Sequence, residues 1–394
     1  MARRPRLTQL RSVADLADTT RPLSGSVVHG LDLRDAALDW ATLDVRGTVF
    51  LGCRFPSPEV EHGLLLRGAV VFPRFEGLPY DPYRAALYTP DELMAGYQRG
   101  RLDTTADYAI FRHFVEQGRH DADVLEALAQ RIHDHAVDGA LHQVLALVPE
   151  SEAPGEGARM PGRRVVAVMG GHGRRRDDPE YRRVAHLAWR LGRAGYFVAS
   201  GGGPGIMEAT NLGAWLSRWE DVAVVDEAIG MLVAVPSFLE GDVFLPEYLD
   251  TAQAVRARFP DGADSLAVPT WFYGHEPSNL FGTRVAKYFS NSVREDGLLA
   301  VAVHGVIFAA GSAGTTQEIF QDATQNHYAT FGWVSPMVFF GKARYTEETR
   351  LWQTIGELSR GRRYAEQLLL SEDPAEVVSF LETHPPLPSE GGAA

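Results

Sequence analysis

From residue 164 onward, apolar and polar positions come in alternating blocks of two kinds. The runs "RRVVAVMGG" (163–171) and "YFVASGGGPG" (196–205) are short, rich in apolar and β-branched residues, and end in glycines. Between and after them, "DPEYRRVAHLAWRLGRAG" (178–195) and "IMEATNLGAWLSRW" (206–219) repeat their apolar positions at helical spacing. Further apolar runs, expected to be strands, stand at "IGMLVAVPSF" (229–238), "LLAVAVHGVIFAAG" (298–311) and "SPMVFFG" (335–341). Strands alternating with helices predict an α/β fold of the doubly wound, Rossmann-like kind over 164–345, a parallel sheet with helices on both faces. Ligands of such sheets sit beyond the carboxyl ends of the strands.

The first 150 residues have a different texture and are expected to form an N-terminal accessory region, partly helical. Leu33, Leu38, Leu43, Thr48 and Cys53 recur every five residues. Two readings fit this spacing, a short pentapeptide-type coil or a strand pair. "TPDELMAGYQRGR" (89–101) opens with Thr-Pro before acidic residues, and "DADVLEALAQRIHDHAVDGALHQVLALV" (121–148) has helical periodicity. Residues 151–163, rich in Pro, Gly and charge, read as a linker. Residues 346–394 are expected to hold one or two helices and a frayed end, "HPPLPSEGGAA".

With 394 residues, 45% of them hydrophobic, the chain has material for one large core or two ordinary ones. A formal net charge of −13 argues against nucleic acid or anionic membrane as a partner. The single cysteine, Cys53, excludes an intramolecular disulfide and a multi-cysteine zinc site, and suits the cytoplasm. No apolar h-region and no run of about 18 apolar residues occurs, so neither export nor membrane insertion is expected.

Three glycine loops stand where a ligand belongs: "MGGHGRRR" (169–176), "SGGGPGIME" (200–208) and "AAGSAGTTQE" (309–318). A glycine loop before a helix exposes backbone N–H groups and lets a phosphate approach without Cβ interference. The loops lack the spaced glycines and acidic ribose partner of the dinucleotide fingerprint, and none reads GxxxxGK[ST]. In the third loop Glu318 falls about one turn into the following helix, facing back to the same pocket. A carboxylate beside a phosphate site calls for ribose hydroxyls or developing positive charge on a sugar ring.

At these residues the sequence resembles the LOG family of phosphoribohydrolases, often misnamed lysine decarboxylases, whose marks are a GGGxxGxM-type loop and a PGGxGTxxE loop. The first mark stands as Gly201-Gly202-Gly203-Pro204-Gly205-Ile206-Met207, the second as Ala310-Gly311-Ser312-Ala313-Gly314-Thr315-Thr316-Gln317-Glu318. Within the family, the chain looks most like the larger bacterial pyrimidine/purine nucleotide 5′-monophosphate nucleosidases, through Gly170-Gly171-His172 and "VHGVIFAAGS" (303–312). The resemblance spans about residues 160–345. It implies hydrolysis of the N-glycosidic bond of a nucleoside 5′-monophosphate to free base and ribose 5-phosphate, without cofactor or metal.

On the same resemblance Glu318 and Arg294 are the catalytic pair. Gly171, His172, Gly202, Gly203, Gly205, Met207, Glu208, Gly311, Ser312, Gly314 and Thr315 hold substrate. Assembly as a homodimer or higher homo-oligomer is implied too, and a nucleotide effector is a further candidate partner. The aromatics of a helical stretch from Phe281 to Phe289 would serve the dimer contact or the core. One departure bears on activity: the second glycine of Pro-Gly-Gly is Ser312 here, and a position needing positive φ would be weakened by it. A nucleotide-binding sensor that does not turn over is therefore the rival reading.

Other residues add less. Arg174 to Arg176 read as a solvated turn, and His275 with Glu276 is too small a group for a metal site. Lys287 and Lys342 are the only lysines, and neither has the setting of a pyridoxal phosphate lysine. Trp271, Phe272 and Tyr273 are candidates to line a base pocket.

Overall fold

The computed structural model describes residues 8–10, 12–17, 23–145, 162–241, 243–274 and 276–389. The expected linker lies almost wholly outside them, as do His275 and the last five residues of the tail. The chain divides into two compact units, Met1–Ala86 with Glu116–Ala140, and Leu87–Val115 with Leu141–Ala394.

In the first unit the strands β1 (Thr8–Leu10), β2 (Ser26–His29), β3 (Val49–Leu51) and β4 (Val70–Phe72) pair in chain order. Short helices α1 (Val13–Ala17) and α2 (Pro58–Leu66) lie in the first and third connections. All pairings are parallel, with Val27 beside Val49 and Val49 beside Val70. Parallel neighbours need a crossover rather than a hairpin, so the chain stacks turn upon turn in one direction, as a coil does. Of the five-spaced residues, Leu33, Thr48 and Cys53 are buried, and Val28, Phe50 and Leu64 fill the same core.

The second unit begins earlier than the sequence suggests. Helices α3 (Pro90–Leu93) and α4 (Ala106–Glu116) belong to it, as does the last turn of α5 (Val124–Val144). Thr89 caps α3, its hydroxyl accepting the Glu92 N–H at 3.1 Å. Asp107 of α4 pairs with the buried Lys287 ammonium at 2.8 Å and accepts the Trp271 indole N–H at 2.8 Å.

The rest runs β5 (Val165–Met169), α6 (Pro179–Arg193), β6 (Phe197–Ser200), α7 (Ile206–Leu216), α8 (Ala223–Leu232), a small hairpin of β7 (Leu239–Glu240) and β8 (Val243–Phe244), and α9 (Glu247–Arg258). It continues with β9 (Leu266–Ala267), β10 (Arg284–Val285), α10 (Asn291–Val301), β11 (Val306–Phe308), α11 (Ala313–Tyr328), β12 (Trp333–Val334), β13 (Met337–Phe340), α12 (Leu351–Leu358), β14 (Leu368–Ser371), α13 (Pro374–Thr383) and β15 (Leu387–Pro388). Seven strands form one sheet in the order β10-β9-β6-β5-β11-β13-β14, parallel throughout. This is the expected doubly wound fold. The strand order reverses between β5 and β11, and that switch point is where such sheets open a crevice.

Several expectations need correcting. The run at 229–238 is no strand: Val225, Ala228, Ile229 and Leu232 are buried at helical spacing on α8, and apolar runs this short do not reveal their period. The first four residues of the run at 298–311 are likewise the end of α10. Residues 281–289 form no helix, and Phe281 and Phe289 are core side chains packed on Trp215 and Trp271. The sheet does not end at 345, since β14 adds a seventh strand beside β13. Part of the tail expected to fray is fastened, β15 pairing with β12. Among the described residues no helix is long and apolar enough to cross a membrane.

Candidate functional site

The three glycine loops leave β5, β6 and β11 side by side and meet at the switch point. They line a cavity of about 1000 Å³ that collects Gly171, His172, Gly203, Met207, Arg294, Gly311, Ser312, Gly314, Thr315 and Glu318. Ten of the thirteen residues expected at the site are thus brought together. Gly202, Gly205 and Glu208 are not among the lining residues.

Gly205 shows what its loop is for. Its φ is +68°, and a Cβ there would stand 2.5 Å from the His172 carbonyl oxygen. At Gly202, with φ +78°, a Cβ would meet the Pro269 ring at 2.6 Å. These two glycines let neighbouring loops pass backbone against backbone. Gly314 is different: nothing stands within 4 Å of the space its side chain would fill, and it lines the cavity.

Glu208 is a buried brace. Its Oε2 accepts from Arg176 Nε (2.8 Å), Tyr181 (2.8 Å) and Tyr248 (2.7 Å), and its Oε1 accepts from Arg176 Nη2 at 2.6 Å. Arg176, read from sequence as part of a solvated turn, has a fully buried side chain and lies over the Tyr248 ring, 3.3 Å from its centroid. Burial works against the Arg176 charge, but the Glu208 carboxylate and the two phenols outweigh it and raise the Arg176 pKa, while burial with the Glu208 charge pushes both phenols well above their usual range. Glu208→Gln would leave Arg176 buried without its counter-charge, so a loss of about 3–5 kcal/mol in urea unfolding is expected. A loss below about 1 kcal/mol would show that the brace is not held by charge.

Helix α11 starts inside the cavity. Its first N–H groups have no partner within the helix, and Ser312, Ala313 and Gly314 are exposed there. Ser312 has φ −112°, outside the left-handed region that favours glycine, so the penalty expected of a positive-φ position does not arise there. The loop before α11 is held from outside by the π-helical turn Arg344–Glu348. Arg344 Nη2 donates to the Gly311 carbonyl and the Tyr345 hydroxyl to the Ala309 carbonyl, each at 2.8 Å. That contact turns the Gly311 oxygen toward a cation. No sequence motif marked either residue.

One turn into α11, Glu318 meets Arg294 of α10, with Nη1 3.9 Å from Oε1. Both side chains are nearly buried, 12% and 11% exposed. Arg294 is anchored by Nε donating to the Val268 carbonyl at 2.9 Å, and Gly201 gives its guanidinium room, since a Cβ there would stand 2.8 Å from Nη2. The same Nη1 lies 3.6 Å from Glu295, a second carboxylate of the cavity that sequence reasoning missed. Its position directly after Arg294 was the only available signal. Glu295 accepts from Asn291 at 2.7 Å and Gln317 at 3.0 Å. Burial, opposed by Arg294 and reinforced by Glu295, pushes Glu318 up to about 7. A carboxyl group so placed can gain or lose a proton near neutrality.

Elsewhere on the rim, His172 Nδ1 lies 3.3 Å from Glu276, and Arg174 and Arg175 line the opening while paired with Asp178 and Asp177. Tyr273 lines the cavity, but Trp271 is fully buried against Asp107 and Phe272 is not among the lining residues. The ammonium of Lys287 is committed to Asp107 and Ser278.

No family model and no curated protein matches the chain. Among solved structures it is similar to the molybdenum cofactor binding protein of the phototrophic bacterium Rippkaea orientalis, at 12% identity and a TM-score of 0.35, covering 56% of this chain and 96% of that one. The Moco carrier protein of Chlamydomonas reinhardtii is similar at 13% identity and a TM-score of 0.35, with the same coverage. Likenesses of this size leave the chemistry of the site to its own geometry.

Proposed function

We propose that this protein hydrolyses the N-glycosidic bond of nucleoside 5′-monophosphates to free base and ribose 5-phosphate. The observation that carries this reading is the meeting, in one cleft at the switch point, of an open helix N-terminus and a nearly buried Glu318–Arg294 pair. The 5′-phosphate would lie against the first turn of α11, where the N–H groups of Ala313, Gly314 and Thr315 and the helix dipole favour an anion. The ribose would then reach toward Glu318, one turn along the same helix.

Breaking the C1′–N bond leaves positive charge on the ribose, which an ionised Glu318 stabilises at short range in a water-poor cleft. A water supplies the oxygen that bonds to C1′. The proton it gives up passes to Glu318 and on to the base nitrogen, so the carboxylate ends as it began. Arg294 keeps the ionised form accessible and holds the carboxylate in place.

Arg344 supports this reading from outside the cleft, because it fixes the loop whose N–H groups would meet the phosphate. Arg344→Met is expected to raise KM for nucleotides about tenfold, the worth of one charge-assisted hydrogen bond, with kcat changed far less. An unaltered KM would show that the loop holds itself.

The reading is tested by incubating the protein with AMP, GMP, CMP and UMP and assaying free base and ribose 5-phosphate. Release from at least one of them is expected. No release from any of them, whether or not a nucleotide binds, would overturn it.

A further inference from the structure

The proposed reaction needs a place for the base, and the main cleft offers no enclosing aromatic wall for one. Its lining is largely glycine, small hydroxyl side chains and charged groups. A planar heterocycle leaves water for an apolar, aromatic-walled space. Tyr273, the aromatic residue of the main cavity, is 65% exposed and its hydroxyl accepts from Asn291 at 2.8 Å, so it offers an open rim rather than a wall.

A side compartment of about 170 Å³ adjoins the main cavity. It shares His172, Gly173 and Arg174 with the cleft, and its own walls include Pro236, Phe238 and Tyr248. The rings are arranged edge to face, Phe238 lying 6.0 Å from Tyr248 and 6.4 Å from His172 between centroids. Tyr248 cannot swing away, since its hydroxyl donates to Glu208 at 2.7 Å and its ring is covered by Arg176. The buried Glu208–Arg176 brace, neither member of which lines the main cavity, thereby sets one wall of this compartment. His172, held by Glu276, stands at the junction of the two spaces.

We infer that this compartment, walled by Phe238 and Tyr248 and entered past His172, seats the nucleobase of the substrate. The inference rests on the nucleotide reading of the main cleft. It assigns the phosphate to α11, the sugar to Glu318 and Arg294, and the base to the space beyond His172. The compartment has room for one heterocycle and not for a second nucleotide. It replaces Trp271, Phe272 and Tyr273 as the base-lining group.

The test uses the full chain carrying Glu318→Gln, so that bound nucleotide is not consumed, and titrates AMP, GMP, CMP, UMP and ribose 5-phosphate calorimetrically. Adding Phe238→Ala is expected to weaken the best-bound nucleotide about tenfold while leaving ribose 5-phosphate unchanged. Leu239→Trp, which fills the compartment from its exposed side, should do the same, and Tyr273→Ala should not. Loss of nucleotide affinity with Tyr273→Ala alone, or equal weakening of nucleotide and ribose 5-phosphate by Phe238→Ala, would overturn the assignment of the base. Absence of binding by both nucleotide and ribose 5-phosphate before either change is made would instead overturn the reading of the cleft, and this inference with it.

Discussion

Glu318→Gln should lower turnover of nucleoside 5′-monophosphates by about 10²–10³, the effect typical of removing one electrostatic stabiliser of a transition state, and should at the same time make the protein harder to unfold above neutral pH. The second effect follows from where the carboxyl group sits. The folded protein holds its proton up to about pH 7, whereas the unfolded chain releases it near 4.5. Ionised Glu318 therefore destabilises the fold by an amount that is absent below about pH 4.5, grows as pH rises and is complete above about 7, on the order of 3 kcal/mol. Glutamine has the same shape and carries no charge. Urea unfolding at pH 8 should show the variant more stable, and at pH 4 the two proteins should coincide. A variant that is less stable at pH 8, or that keeps more than about a tenth of the rate, would contradict this account of Glu318.

Arg294→Met should act in the opposite direction on the same group. The guanidinium is the cation that opposes the burial of Glu318, so without it the carboxyl holds its proton to still higher pH. The acid limb of the pH–rate profile, set by ionisation of Glu318, then moves upward from about 7. At pH 7 the rate should fall by about 10²–10³ and recover in part by pH 9. The phosphate of the substrate also titrates, near pH 6, but it does so identically for both proteins and drops out of the comparison. Stability should fall as well, by about 3–5 kcal/mol at pH 8, because Glu318 and Glu295 then face a buried site with no cation between them. A limb that stays in place, or moves to lower pH, would show that Arg294 does not govern Glu318.

The parts of the site that could be read from sequence were those encoded by local backbone chemistry. A strand running into glycines and then into a helix announces a ligand-facing loop, and three such loops on one parallel sheet must converge beyond its strand ends. Glu318 and Arg294 came with the family marks around them. What escaped was set by partners far along the chain. Glu208 follows its loop as a site residue would, but Arg176, Tyr181 and Tyr248, which turn it into a buried brace, are up to 40 residues away. Gly202 and Gly205 were expected to hold substrate, and neither lines the cavity. What they approach is another stretch of backbone, and periodicity carries no record of that. Arg344 lies 33 residues after Gly311, in a turn without any motif.

The same limit shaped the reading of the fold. Short apolar runs gave β5, β6, β11 and β13 correctly, because glycines close them and helices with clear faces separate them. The run at 229–238 looked alike and is the end of α8 followed by a loop, and the "LLLS" of β14 lay hidden among helical patterns. In the first unit the five-residue spacing was weak on its own. Its sense came from the parallel register of β2, β3 and β4, which only tertiary pairing reveals.

The central claim is that the bond cleaved is the one between base and ribose. One reaction mixture tests it, with the best nucleotide substrate, the wild-type protein, and quantification of free base, ribose 5-phosphate, nucleoside and inorganic phosphate together. Equal amounts of base and ribose 5-phosphate, with no nucleoside, are predicted. Nucleoside and inorganic phosphate in their place, or an unchanged nucleotide that nonetheless binds in the cleft, would contradict it.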